Sequence, residues 1–179
     1  MKRLCVLSIG FVLAIVVAPV ADAQQGGRHV GGLRPEVHGN LGLHGFLGVG
    51  VELEFAIAPQ GMLSRVDDEV TLVPGFDFLF AEFEDDDNDD TEVAFVPHFA
   101  GRWNFYLSSK WSFFPELGIA FMVATNDRDG DDRFYRGGRA RNVYVDPLVA
   151  FGARWHGADR FAVTMRIGYP FGAQVGLAF

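Results

Sequence analysis

From Phe161 to Phe179 every odd position holds an apolar residue: Phe161, Val163, Met165, Ile167, Tyr169, Phe171, Ala173, Val175, Leu177 and Phe179. The even positions between them, from Ala162, Thr164 and Arg166 to Gln174, Gly176 and Ala178, include no bulky aliphatic residue. A period of two puts successive side chains on opposite faces of an extended backbone, so the segment reads as strand with one apolar face.

The same period recurs upstream. Leu41, Leu43, Leu47, Val49, Val51, Leu53, Phe55 and Ile57 alternate with Asn40, His44, Gly48, Gly50, Glu52 and Glu54. Val70, Leu72, Pro74, Phe76, Phe78 and Phe80 alternate with Thr71, Gly75, Asp77 and Ala81. Val93, Phe95, Phe99, Trp103 and Phe105 oppose Glu92, Ala94, His98, Ala100, Arg102 and Asn104. Trp111, Phe113, Leu117, Ile119 and Phe121 oppose Ser112, Glu116, Gly118 and Ala120. Val143, Val145, Val149, Phe151 and Trp155 oppose Asn142, Asp146, Ala150, Gly152 and Arg154. No segment has a convincing helical period, so the chain is all-β.

The N-terminus is of another kind. Lys2 and Arg3 precede an apolar stretch from Leu4 to Val20, and Ala21-Asp22-Ala23 offers small residues where a signal peptidase cuts, so residues 1–23 read as a cleaved signal peptide for the general secretory route. Cys5, the single cysteine, lies within it, leaving the mature chain without a disulfide, thiol nucleophile or cysteine metal ligand. Hydrophobic residues make up 49% of the chain, yet beyond the signal no apolar run is long enough for a membrane helix. The net charge of −8 becomes −9 once Lys2, Arg3 and Asp22 are removed, which argues against a nucleic-acid partner.

A mature chain built of alternating strands and ending on an aromatic resembles the bacterial outer-membrane β-barrels of the eight-stranded class. The resemblance implies an antiparallel, up-and-down transmembrane β-barrel in the outer membrane, monomeric, in contact with lipid and lipopolysaccharide. It also implies that Phe179 is the signal read by the barrel assembly machinery. On this reading residues 24–38 are a flexible lead and residues 39–179 the barrel.

A soluble lipocalin-like barrel in the periplasm is the alternative, with its apolar set turned inward. Its second face would then carry abundant Lys, Glu, Thr and Ser; here that face is mostly Gly and Ala with scattered ions, which suits a narrow lumen. Connection lengths agree with the membrane reading. Leu107 to Lys110 and His156 to Arg160 are short, Glu84 to Thr91 and Asn126 to Arg141 are longer and charged, and strand parity puts each pair on one side. Trp103, Phe105, Tyr106, Trp111, Phe113, Trp155 and Phe161 flank the short turns as an interfacial girdle would.

At roughly 3.3 Å per residue the last nineteen residues would span about 60 Å, twice a bilayer core, so a turn is expected at Gly168 to Gly172. Dividing Gly39 to Ala58 near His44 to Gly48 likewise gives eight strands; the rival is six long ones. Pro97, Pro115 and Pro147 fall within strand runs, where each deletes a ladder donor, and are expected to mark bulges or strand ends.

Three sets of residues carry candidate chemistry. Glu52, Glu54, Asp77, His98, Arg102, Glu116, Asp146, Arg154 and Arg166 would share the lumen, together with Glu92 and His44, and neutralise one another as a plug. Asp85, Asp87, Asp89, Asp127, Asp129 and Asp131 form two acidic clusters that could hold Ca²⁺, although an EF-hand counted from Asp127 puts Gly138 where its bidentate Glu belongs, and no cofactor is otherwise implied. Arg128, Arg133, Arg136, Arg139 and Arg141 are interleaved with aromatics and glycines, and guanidinium forks match the phosphates of lipopolysaccharide. Lipid A-modifying enzymes are also built on small barrels, but nothing in the sequence places Ser64, Ser108, Ser109 or Ser112 beside a His, so no catalytic residue is assigned.

Overall fold

The computed structural model describes residues 33–42, 45–59, 62–63, 66–85, 88–124, 143–158 and 161–179. Eight strands follow in order: β1 (Leu33–Leu41), β2 (Phe46–Ala58), β3 (Asp68–Asp85), β4 (Asn88–Tyr106), β5 (Trp111–Ala124), β6 (Val143–Ala158), β7 (Phe161–Tyr169) and β8 (Gly172–Ala178). Each pairs antiparallel with its chain neighbour, and β1 pairs with β8 from Glu36↔Ala178 to Leu41↔Ala173, closing the barrel. The backbone of Phe179 extends this seam, its N–H donating to the Pro35 carbonyl at 3.0 Å. Eight strands, not six, are therefore present.

Alternation sorts the side chains in the inverse of a soluble protein. Along β2, Leu47, Val49, Val51, Leu53, Phe55 and Ile57 are 36–61% exposed, while Glu52 and Glu54 between them are at most 3% exposed. Outward Phe76, Phe78, Phe95, Ile119, Val145, Phe151, Ile167 and Val175 continue this apolar surface around the wall. A lipocalin-like arrangement requires the opposite assignment of faces, so that alternative fails. An apolar band that large is stable only against lipid.

Two turns need glycine. Gly45, at φ +86°, follows the β1 exit, where Gly42 donates to the Phe46 carbonyl at 2.9 Å. Gly172, at φ +75°, returns the chain into β8 after Pro170 and Phe171, within the turn expected there. Phe171 folds inward, 4% exposed, and its ring lies 5.3 Å from that of His98.

Three expectations need correction. Leu33 to His38 belong to β1 and not to a flexible lead: Arg34, Glu36 and His38 alternate with Leu33, Pro35 and Val37, and a polar inward face made the segment look unlike a strand. The acidic run at Glu84 to Thr91 is not a long loop. β3 and β4 stay paired out to Asp85↔Asn88, beyond Ala81↔Phe46 and Ala94↔Ala124 where their flanking strands stop, so the hairpin ends as a two-stranded ribbon. The prolines, finally, mark neither bulges nor strand ends. The β4–β5 ladder omits Val96–Pro97 and Trp103–Asn104, opposite Pro115, while its register is the same on either side of each gap. Register shifts occur instead at Ala56/Ala58 and His156/Ala158. Pro147 pairs with Ile119 on β5, and on its other side lies beyond the end of β7.

The girdle is present on the side of the termini, with Trp103 and Phe105 at 4.8 Å, Trp111 and Phe113 at 6.4 Å, and Trp155 and Phe161 at 6.1 Å between ring centroids. Tyr106 is the exception. At an even position of β4 it points inward, 6% exposed, and its hydroxyl donates to Glu69 Oε2 at 2.6 Å.

Candidate functional site: the lumen

Three layers fill the barrel. Nearest the termini, three arginines brace opposite walls. Arg102 on β4 donates from Nε to Glu116 Oε2 on β5 (2.8 Å) and from Nη2 to Glu52 Oε2 on β2 (2.8 Å), with Nη1 3.3 Å from Glu54 Oε2. Arg154 on β6 reaches across to β1 and β2, its Nη2 at 3.2 Å from Glu36 Oε2 and its Nη1 at 2.8 Å from Glu54 Oε2. Arg166 on β7 joins Glu36 Oε1 (3.1 Å), Glu52 Oε1 and, at 3.5 Å, Glu116 Oε2. Thr164 accepts from Arg154 Nε at 3.1 Å and donates to Glu36 Oε2 at 2.9 Å. Thr71 and Asn104 donate to Glu54 Oε1 at 2.9 and 2.8 Å.

These groups are withdrawn from water: Arg102, Arg154, Glu54 and Glu116 are at most 2% exposed. An ion so buried is tolerated only when paired on several sides, which explains why each guanidinium meets at least two carboxylates. The ring of Phe114 lies between two of them, 4.5 Å from Arg102 Cζ and 5.6 Å from Arg154 Cζ. Gly152 makes room for that ring, since a Cβ there would come within 2.3 Å of it.

The middle layer is built on Asp77. Its Oδ1 faces His38 Nε2 at 2.7 Å and accepts from Asn40 Nδ2 at 2.5 Å; its Oδ2 lies 3.1 Å from His98 Nδ1. His98 Nε2 is 3.3 Å from Glu52 Oε1, which ties this layer to the arginines. Gln174 on β8 donates to Asn40 Oδ1 at 2.6 Å. Gly50 and Gly75 leave space for the imidazoles, because a Cβ at either would approach His38 Nε2 or His98 Nε2 to 2.5 or 2.6 Å. The outermost layer is apolar, with Phe46, Leu79, Ala94, Val96, Met122, Tyr144, Leu148 and Phe171 in one cluster.

Eight of the nine expected lumen residues thus meet in one connected network. Asp146 stands apart, 7% exposed, and accepts from the Tyr169 hydroxyl at 2.9 Å. Sequence reasoning missed Glu36, His38 and Arg34, assigned to the lead, as well as Glu69 and the apolar outer layer. Their signal was the alternation of Leu33 to Leu41, which Pro35 and the neighbouring glycines obscured. Asp87, Asp127, Asp129, Asp131 and all five candidate lipopolysaccharide arginines, Arg128, Arg133, Arg136, Arg139 and Arg141, lie outside the described residues, as does His44. Asp85 and Asp89 fall on the β3–β4 ribbon, not in a loop.

One contact bears on catalysis. Ser112 Oγ sits 3.0 Å from His156 Nε2, a pairing no spacing in the sequence suggested. Ser112 is 0% exposed, and His156 is half-buried beside it.

The fold is that of an eight-stranded transmembrane β-barrel. Among solved structures the chain is similar to a de novo designed transmembrane β-barrel, at 12% identity and a TM-score of 0.52 over 82% of this chain and 90% of that one. It also matches Ail, the attachment invasion locus protein of Yersinia pestis, in complex with the heparin analogue sucrose octasulfate, at 9% identity and a TM-score of 0.44 over 82% of this chain and 90% of that one. A second structure of Ail, in a phospholipid bilayer nanodisc, gives 11% identity and a TM-score of 0.44 over 83% and 98%. No family model and no curated protein matches the chain.

Proposed function

We propose that this protein is a monomeric resident of a Gram-negative outer membrane, a closed barrel that stiffens the bilayer and presents its outer connections for surface interaction. The observation that carries the reading is the inverted polarity of the wall, apolar outside and ionic within. A lumen braced across its diameter by Arg102, Arg154 and Arg166 leaves ions no wide aqueous path, so the barrel acts as an anchor and not as a pore. Phe179, its ring exposed on the outer wall beside the closing seam, is available to the assembly machinery during insertion. The β3–β4 ribbon, the end of β5 at Ala124 and the start of β6 at Val143 lie on the side away from the termini, where lipopolysaccharide is the nearest source of phosphate. Contact with it through Arg128, Arg133, Arg136, Arg139 and Arg141 is the finer part of the proposal.

Gel mobility tests the first part. Protein extracted from outer membranes is expected to migrate differently in SDS before and after boiling, and to give no steady channel conductance in planar bilayers. Recovery in the soluble periplasmic fraction, with no shift on heating, would refute it. Replacing the five arginines by glutamine is expected to lower lipopolysaccharide co-purification while the heat-dependent shift persists; unchanged co-purification removes the lipopolysaccharide contact and leaves the barrel reading intact.

A further inference from the structure

The middle layer contains an imidazole that the brace does not use. His38 is 3% exposed, and its Nε2 is committed to Asp77. Its Nδ1 is buried and has no hydrogen-bond partner. A histidine that gives one ring nitrogen to a carboxylate is held in one tautomer, with the lone pair on its other nitrogen, which is the arrangement that carboxylate–histidine–metal triads share. A ring nitrogen of His38 and one oxygen each of Glu36 and Glu52 lie within 4.8 Å of one another, close enough to converge on a single ion. His98 is not equivalent, because Asp77 and Glu52 face its two nitrogens at 3.1 and 3.3 Å.

Space and charge agree with the chemistry. A Cβ at Gly176 would approach Glu36 Oε1 to 2.8 Å, so this glycine keeps space beside the carboxylate, while Gly50 makes room for the His38–Asp77 contact behind the ring. Glu36, Glu52, Glu54, Glu69, Asp77 and Glu116 carry six negative charges against the four of Arg34, Arg102, Arg154 and Arg166. Two negative charges are left over to be set against the imidazoles of His38 and His98, before Asp68 and Asp146 toward the ends are counted. Glu36 Oε1 meets Arg166 alone and keeps a second lone pair, and Glu52 Oε2 meets only Arg102, whereas Glu52 Oε1 is shared by Arg166 and His98.

We infer that Glu36, His38 and Glu52 form a lumen site for one divalent transition-metal cation of the zinc type, bound through His38 Nδ1 and an oxygen of each carboxylate. Asp77 orients the imidazole from behind. Mixed nitrogen and oxygen donors suit zinc-like ions better than Ca²⁺, which takes oxygen alone. Such an ion would link β1 to β2 at the boundary between the arginine layer and the Asp77 layer.

The test uses the full mature chain refolded into detergent micelles, with Zn²⁺ as the probe. Wild-type protein refolded with Zn²⁺ is expected to keep about one equivalent through gel filtration. His38→Gln is expected to lose it, and Asp77→Asn to bind about 10- to 100-fold more weakly, each judged folded by its heat-dependent gel shift. A variant with Asp127, Asp129 and Asp131 changed to Asn is expected to retain the metal. Wild-type protein that keeps less than about a tenth of an equivalent overturns the site, and so does equal retention by His38→Gln. Should His38→Gln fail to fold, X-ray absorption on the loaded wild type decides. A nitrogen–oxygen shell at about 2.0–2.2 Å with one imidazole supports the assignment. A shell with no imidazole, or with two, refutes it.

Discussion

The two ends of the lumen are filled by opposite means. Toward the termini, Arg102, Arg154 and Arg166 interlock with Glu36, Glu52, Glu54 and Glu116. Toward the other mouth, Leu79, Val96, Met122, Leu148 and Phe171 pack as a small hydrophobic core. Both exclude water from the same narrow cylinder, but they fail differently. An apolar cluster that loses a side chain loses contacts and gains a cavity, in proportion to the volume removed. An ionic cluster that loses one member strands the others as buried, unpaired charges, and the penalty no longer scales with volume. The brace is therefore the more brittle half, although its pairs lie at hydrogen-bond distance.

The largest effect is expected where one cation serves the most acids. Arg102 contacts Glu52, Glu54 and Glu116 and reaches Glu36 at 4.0 Å, one acid more than Arg166. Arg102→Met keeps much of the stem and removes the charge, leaving Glu116 with the 3.5 Å contact to Arg166. A loss of about 3–5 kcal/mol is expected in urea unfolding from lipid vesicles, followed by tryptophan fluorescence. A loss below about 1 kcal/mol would mean that Arg154 and Arg166 carry the acids by themselves and that the brace is redundant.

The apolar half gives the second term of the comparison. Leu79 is fully buried among Phe46, Val96 and their neighbours, and Leu79→Ala is expected to cost about 2–4 kcal/mol in the same measurement. The ranking matters more than either value. If Leu79→Ala proved the costlier of the two, the outer cap and not the ionic brace would hold the barrel closed.

How far this arrangement could be read from the sequence differs between wall and interior. The wall was legible because a period of two is a local property, and Leu47 to Ile57 or Phe161 to Phe179 show it without knowledge of any neighbour. The brace was half legible: Glu52, Glu54, Arg102, Glu116, Arg154 and Arg166 are inward by parity alone. Their pairing was not, since Arg154 meets Glu36 only because β6 and β1 face each other across a closed cylinder. Glu36 and His38 were missed because Pro35 and flanking glycines weaken the strand signal in β1. The cap was missed for a different reason. Val96, Met122 and Leu148 stand at inward positions beside outward apolar residues, so both faces are apolar there and the alternation fades.

The smallest effect tests whether the brace depends on neutral groups as well as charges. Thr164 Oγ1 accepts from Arg154 Nε and donates to Glu36 Oε2, so it holds the two partners of a cross-barrel pair in register. Valine matches threonine closely in shape, so Thr164→Val leaves no cavity and removes both bonds together. Glu36 keeps Arg154 Nη2 at 3.2 Å and Arg166 Nη2 at 3.1 Å, while Arg154 keeps Glu54 at 2.8 Å. With the charges still paired, the loss is expected to be about 1–2 kcal/mol, the scale of a hydrogen bond to a charged group. A loss as large as that of Arg102→Met would show that Thr164 sets the geometry on which the ion pairs depend. In that case the brittleness would belong to the whole hydrogen-bonded layer and not to its charges.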